Sequence, residues 1–324
     1  MKTMYLWLLA CLTLMMGCQS SDDGKLQPEE ALYETRFSLR LDADILPFST
    51  ETKSMPQLTM PEPSAKSEPT SPEQTPDPSG GPLYTQIEYI VYKQEGNGKK
   101  LLLKHTNFDK NTTVDDFGII YDRLAAGHYT IVFVTHSSPA PTLENGQLIF
   151  KQITDTFWKV CEYEISSTGE TNDTPVLSRI ISKVEIVTKD EAPSNQAKFT
   201  IQIAPYLLKL NVFTGKADPA GESYVIDKEL TSEEIGKTGC HQFFTFVAED
   251  DSPIQLTLTS SKADGDILRK RVIKEHKPVA NKTIRYTGLF YLPPKGNDSF
   301  DITIEQEGKW DETDEIPLPD LSDE

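Results

Sequence analysis

The residue in this chain best placed to take part in chemistry is Cys18. It closes the stretch Leu14-Met15-Met16-Gly17-Cys18 and is followed by Gln19-Ser20-Ser21-Asp22-Asp23. Upstream lie Lys2 and a mostly apolar run from Met4 to Met16. A basic start, a short apolar centre and a small residue before the cut form the layout of a secretory signal. The run falls short of the ~20 apolar residues needed to cross a bilayer as a helix. Cleavage before Cys18 leaves a thiol able to carry a diacylglycerol thioether and an amine able to take a further acyl chain. One chain anchors a protein marginally, and two or more anchor it stably. The alternative is an ordinary cleaved signal in which Cys18 is incidental.

The other residues with chemical potential do not assemble into a site. His105, His128, His136, His241 and His276 are scattered, with no i, i+4 pair for a metal. Cys240 and His241 are adjacent, so in a strand they point to opposite faces and make a poor nucleophile–base dyad. Glu249-Asp250-Asp251-Ser252 is a compact acidic cluster without the glycine and spaced oxygens of a calcium loop, and reads as a hairpin tip. Trp158 is expected in the core and Trp310 in the acidic tail. No metal, no cofactor and no enzymatic activity are expected.

The elements around these residues are set by composition. The 324-residue chain has a net charge of −18 and a hydrophobic fraction of 37%. So acidic a surface excludes nucleic acid, which needs a basic stripe. Cys11 falls in the signal. Cys161 and Cys240 are read as two separately buried thiols, with a disulfide as the alternative in an exported protein.

Residues 33–41, Tyr-Glu-Thr-Arg-Phe-Ser-Leu-Arg-Leu, alternate: Phe37, Leu39 and Leu41 point one way, Arg36, Ser38 and Arg40 the other. That predicts a half-buried strand. From 49 to 82 Pro, Ser, Thr and Glu dominate and aromatics vanish, which predicts a disordered segment. We read it as an insertion, because the strand before it needs a partner sheet. Order resumes with Ile87, Tyr89 and Val91, a strand covered on both faces. A hairpin follows through Gly96-Asn97-Gly98 to Leu101-Leu102-Leu103. Short strands then recur at intervals of roughly 10–15 residues, the pattern of antiparallel sandwiches. The expected organisation is a signal at 1–17, a lipid-anchored tether at 18–32, an N-terminal sandwich at 33–176, a C-terminal sandwich at 177–304 and an acidic, disordered tail at 305–324.

Three passages resemble a known family, the first being the stretch ending at Cys18 together with the strand at 33–41, and the closing Asn281-Lys282-Thr283 to Gly288-Leu289-Phe290 also fits. The stretch ending at Cys18 is similar to a bacterial lipobox, with Met15 where leucine is usual. Gln19 to Asp23 is similar to the export tag of Bacteroidetes surface lipoproteins. Ile87 to Tyr92 with Leu124-Ala125-Ala126-Gly127-His128-Tyr129 resembles a strand entry, and Leu177-Ser178-Arg179-Ile180-Ile181-Ser182-Lys183-Val184 a second-domain entry, of the fimbrillin superfamily of Bacteroidales. Its FimB/Mfa-type anchor and accessory subunits are the nearest in character. The resemblance implies an all-β chain of two tandem transthyretin-like antiparallel β-sandwich domains with a disordered Pro/Ser/Thr-rich insertion. It also implies surface exposure on the outer membrane through lipid, and a role in fimbrial anchoring, assembly and adhesion. In that family a stalk subunit loses its first strand to an arginine-directed protease and accepts a neighbour's strand instead. Arg36 and Arg40 lie where such a cut would fall, although their alternation also fits a plain solvent face. The implied partners are fimbrial subunits by strand exchange and a host or glycan ligand. The rival reading is a surface glycan-binding lipoprotein of a nutrient-uptake system, which would carry an exposed aromatic platform on one sheet.

Overall fold

The computed structural model describes residues 31–42, 83–112, 116–292, 301–306 and 314–316. The expected signal, Cys18, most of the tether, the insertion at 49–82, Trp310 and most of the tail lie outside the described residues. What is described is all-β, with no helix among the described residues.

The first half contributes β1 (Leu32–Ser38), β2 (Arg40–Leu41), β3 (Gln86–Gln94), β4 (Lys100–Asp109), β5 (Ile119–Ala125), β6 (Gly127–His136), β7 (Thr142–Glu144), β8 (Gln147–Ile149), β9 (Phe157–Ile165), β10 (Thr171–Asp173) and β11 (Val176–Arg179). They build a three-stranded sheet, β10-β1-β5, facing a six-stranded sheet, β2-β11-β9-β6-β3-β4. Between these sheets Phe37, Ile87, Tyr89, Val91, Ile120, Leu124, Tyr129, Phe133 and Phe157 form one core. The six-stranded sheet is apolar on its other face as well. Ile90, Tyr92, Val132 and Val134 belong to a second core shared with the remainder of the chain. Central strands buried on both faces read as unbroken apolar runs rather than alternating ones, and Ile131-Val132-Phe133-Val134 in β6 is such a run.

The second half supplies β12 (Ile181–Thr188), β13 (Lys198–Ala204), β14 (Lys209–Asn211), β15 (Tyr224–Glu229), β16 (Cys240–Phe246), β17 (Ile254–Ser261), β18 (Ile267–His276), β19 (Lys282–Gly288), β20 (Asp301–Gln306) and β21 (Asp314–Ile316). Sheet β16-β12-β19-β20-β21 and sheet β15-β13-β17-β18 enclose the larger core, to which β12 gives Val184 and Ile186 and β13 gives Phe199, Ile201 and Ile203.

Four features depart from the sequence reading. The sheets are not purely antiparallel, because β1–β10, β2–β11 and β12–β19 pair in parallel. Residues from the two expected domains share a sheet, β7-β8-β14. Its hairpin turns on Asn145 and Gly146, both at positive φ, the geometry that Asn-Gly favours. The chain changes sheets at Ile180, just past the predicted boundary, and there Arg179 is fully buried. Its guanidinium makes two 2.8 Å bonds to Asp155 and one of 3.0 Å to Asn281. Finally, the expected disordered tail includes the end of β20 and the whole of β21, which pair with each other.

Candidate functional site

The first strand is seated more deeply than its alternation alone requires. β1 lies between β5, antiparallel from Leu32↔Ala125 to Ser38↔Ile119, and β10, parallel from Thr35↔Thr171 to Phe37↔Asp173. Both of its edges are therefore used. Phe37 is 0% exposed, and its ring centroid lies 5.1 Å from Tyr163, 5.4 Å from Phe133 and 6.1 Å from Tyr89. Aromatic rings at such tilted separations attract beyond the area they bury. The Thr35 hydroxyl donates to the Asp122 carbonyl at 3.2 Å. The Asp122 carboxylate accepts from the Tyr89 hydroxyl at 3.1 Å and from Lys104 at 2.6 Å. Burial, with that carboxylate beside it, pushes the Tyr89 phenol upward, so it stays a donor. Tyr163 donates to Asp173 on β10 at 2.6 Å, and burial pushes it upward too.

At Leu39 the strand changes sheet. Its amide bonds the Gly118 carbonyl, while the amides of Arg40 and Asp42 bond the carbonyls of Pro175 and Leu177. β1 and β2 together thus stitch the two sheets of the first core. The two arginines consequently stand in different settings. Arg36 is paired on both sides, with Tyr121 and Asn172, and its guanidinium sits 5.8 Å from the Tyr121 ring centroid. Arg40 is exposed, on a two-residue strand at the edge of its sheet. Phe37, Leu39 and Leu41 all join the core, as their spacing predicts.

A second polar cluster was not legible in the sequence. Glu88 is fully buried on β3 and bonds His105 at 2.6 Å, Asn107 at 2.5 Å and His136 at 3.3 Å. Burial pushes its carboxyl up, but these partners outweigh burial and hold it below the usual range. Cross-strand registers bring these residues together, and only the pairing of β3 with β4 and β6 reveals it. The cluster closes on itself and offers no open ligand position.

The remaining histidines stand apart from this cluster. His128 is exposed. His241 stacks on Phe199 at 3.7 Å, and burial lowers it to about 4. His276 bonds the Tyr286 hydroxyl at 2.7 Å and is lowered to about 3 by burial. Cys161 on β9 and Cys240 on β16 are free, half-buried thiols in different sheets. The acidic cluster at 249–252 forms a turn clasp: Glu249 accepts from Asn211 and Thr214, and Asp251 pairs with Lys216 at 2.8 Å. No group of residues suited to a metal occurs among the described residues. Trp158 is half-buried, and its indole N–H bonds the Val212 carbonyl at 2.8 Å, tying β9 to the second half. The large exposed aromatic residues, Tyr121 on β5 and Tyr224 on β15, lie in different sheets, so the described residues present no aromatic platform.

Residues 81–316 match the family model described as "Fimbrillin-A associated anchor proteins Mfa1 and Mfa2". The fold is similar to the fimbrial anchor protein Mfa2 from Porphyromonas gingivalis, with a TM-score of 0.50 and 12% identity, covering 85% of this chain and 98% of that one. The tip fimbrial protein Mfa3 from the same organism, with a C-terminal truncation, aligns with a TM-score of 0.38 and 13% identity over 69% of this chain and 94% of its own. Comparison with curated proteins finds no match.

Proposed function

We propose, because the chain belongs to the family of fimbrillin-A associated anchor proteins Mfa1 and Mfa2, that it is a non-enzymatic cell-surface protein which holds a fimbria to the outer membrane through lipid on Cys18. It keeps its first strand and receives a neighbouring subunit by β-strand addition. The observation that carries this reading is the seat of β1. Its edges are both paired and its central ring, Phe37, fills the first core. A subunit meant to lose this strand would surrender the middle of that core. The peptide bond after Arg36 is shielded between two strands, and the exposed arginine, Arg40, lies beyond β1.

The test is mass spectrometry of the mature N-terminus on intact cells. A diacylated Cys18 with residues 19–42 attached supports the anchor. A new N-terminus at Phe37 or Leu41 would replace it with a stalk subunit whose groove has been vacated.

A further inference from the structure

With β1 in place, strand addition needs a different free edge, and one strand stands apart. β4 is ten residues long and closes one end of the six-stranded sheet. Its inner side pairs with β3, and no described strand pairs with its outer side. Leu101, Leu102 and Leu103 on it are 48%, 46% and 52% exposed. From β1 to β19, no other strand carries three large exposed apolar residues in succession. The register shift opposite Val91 and Tyr92 leaves Leu103 without a partner residue, and such a bulge twists the edge locally. Of the other sheet edges, β2, β7, β10, β14 and β21 are two or three residues long, β18 carries Arg269, Lys270, Arg271 and Lys274, and the longer edges β5, β15 and β16 carry at most two large exposed apolar residues.

Charge says what fits there. Residues 93–110 hold five lysines and two acidic residues, in a chain of net charge −18. Lys100 and Lys104 reach back to Glu162 and Asp122. Lys99 and Lys110 make no ion pair among the described residues. We infer that the outer edge of β4 is a docking edge for an extended segment of a partner subunit in which apolar residues are flanked by acidic ones. This rests on the reading of the protein as a fimbrial anchor. Main-chain bonds supply the pairing, the leucines contact the apolar side chains, and the lysines select for acid.

Two other occupants fit less well. A second copy of β4 would lay one lysine-rich strand beside another, and like charge gathered along one edge opposes that pairing. A lipid surface would leave the unpaired amides and carbonyls of the edge without partners in the apolar layer.

The experiment uses the full mature chain and a labelled synthetic peptide about as long as β4 that repeats Glu-Val-Val-Glu, with a Lys-Val-Val-Lys peptide for comparison, followed by fluorescence anisotropy. Thermal melts confirm that the Leu101→Glu/Leu103→Glu variant remains folded. The acidic peptide should bind at least roughly tenfold more tightly than the basic one, weaken as salt rises, and lose at least roughly tenfold in the variant. Equal binding of the two peptides, or undiminished binding to the variant, overturns the inference. So does binding of anionic phosphatidylglycerol vesicles in place of the peptide, or dimerisation abolished by the variant. In cells, fimbriae that stay attached in the double-glutamate strain but are shed by a Cys18→Ala strain would sink this inference and leave the anchoring reading standing. Fimbriae attached in both strains would sink the anchoring reading itself.

Discussion

Replacing Phe37 by alanine should loosen β1 and expose a peptide bond that the folded protein hides. The side chain is fully buried among Tyr89, Phe133 and Tyr163. Removing a buried phenylalanine costs about 3–5 kcal/mol, counting the cavity left behind. The loss falls on the local equilibrium that lifts β1 off β5 and β10, which is the opening a protease needs in order to reach the bond after Arg36. When opening and closing are fast relative to cleavage, the cleavage rate follows the open population. Since about 1.4 kcal/mol is a factor of ten, the variant should be cut after Arg36 roughly two to four decades faster. Trypsin nicking followed by mass spectrometry of the N-terminal fragments reads this directly. In the unaltered protein, cleavage after the exposed Arg40 should precede cleavage after Arg36. If the bond after Arg36 is cut as fast in the unaltered protein as in the variant, β1 is not held in the way described, and the argument for its retention fails.

Three other outcomes are expected. His241 is lowered from 6.5 to about 4, so the unfolded chain binds more protons in that window, and stability is lost as pH falls from about 6.5 to 4, by about 3 kcal/mol at most. Unfolding measured across that range should show a shallower loss in His241→Phe, which keeps a ring on Phe199, with the share due to His276 remaining. Arg179→Met strands the Asp155 carboxylate and should cost about 3–5 kcal/mol in denaturant unfolding; Arg179→Lys should recover little, because one ammonium cannot reproduce the two-point contact. Burial raises both the Cys161 and the Cys240 thiols, so alkylation in the folded state should be slow at neutral pH, and an oxidant should produce no cross-link between them on a non-reducing gel.

The all-β character and the inward side of β1 could be read from the sequence, because alternation at Phe37, Leu39 and Leu41 reports burial directly. Other elements hid for identifiable reasons. β10, Thr171–Asp173, has side chains that are mostly exposed; only its backbone serves the fold, beside β1, and polar residues give no period to detect. β15, Tyr224–Glu229, is an exposed edge strand whose second half is charged. The hairpin of β7 and β8 did carry a local signal in Asn145-Gly146, but its docking on β14 is a long-range contact. Glu88 sits in a strand that otherwise reads as core, and its partners lie 17, 19 and 48 residues away. At the candidate site the alternation turns both arginines away from the apolar side, yet they fall on different strands, and their unequal shielding depends on which sheets their neighbours join.

The junction at Leu39 also decides how the protein answers to force. A pull applied through the chain before Leu32, along the axis of β1, does not peel hydrogen bonds one at a time. It loads the seven register pairs with β5 and the three with β10 together, in shear. Should β1 begin to slide, the Leu39 amide is held by Gly118 and the Arg40 and Asp42 amides are held in the opposite sheet by Pro175 and Leu177, and the sliding strand must drag Phe37 through a closed aromatic core. The same few residues that make the first strand costly to remove therefore make it a mechanical fastener, one whose strength is set by a ring of side chains rather than by the length of the strand.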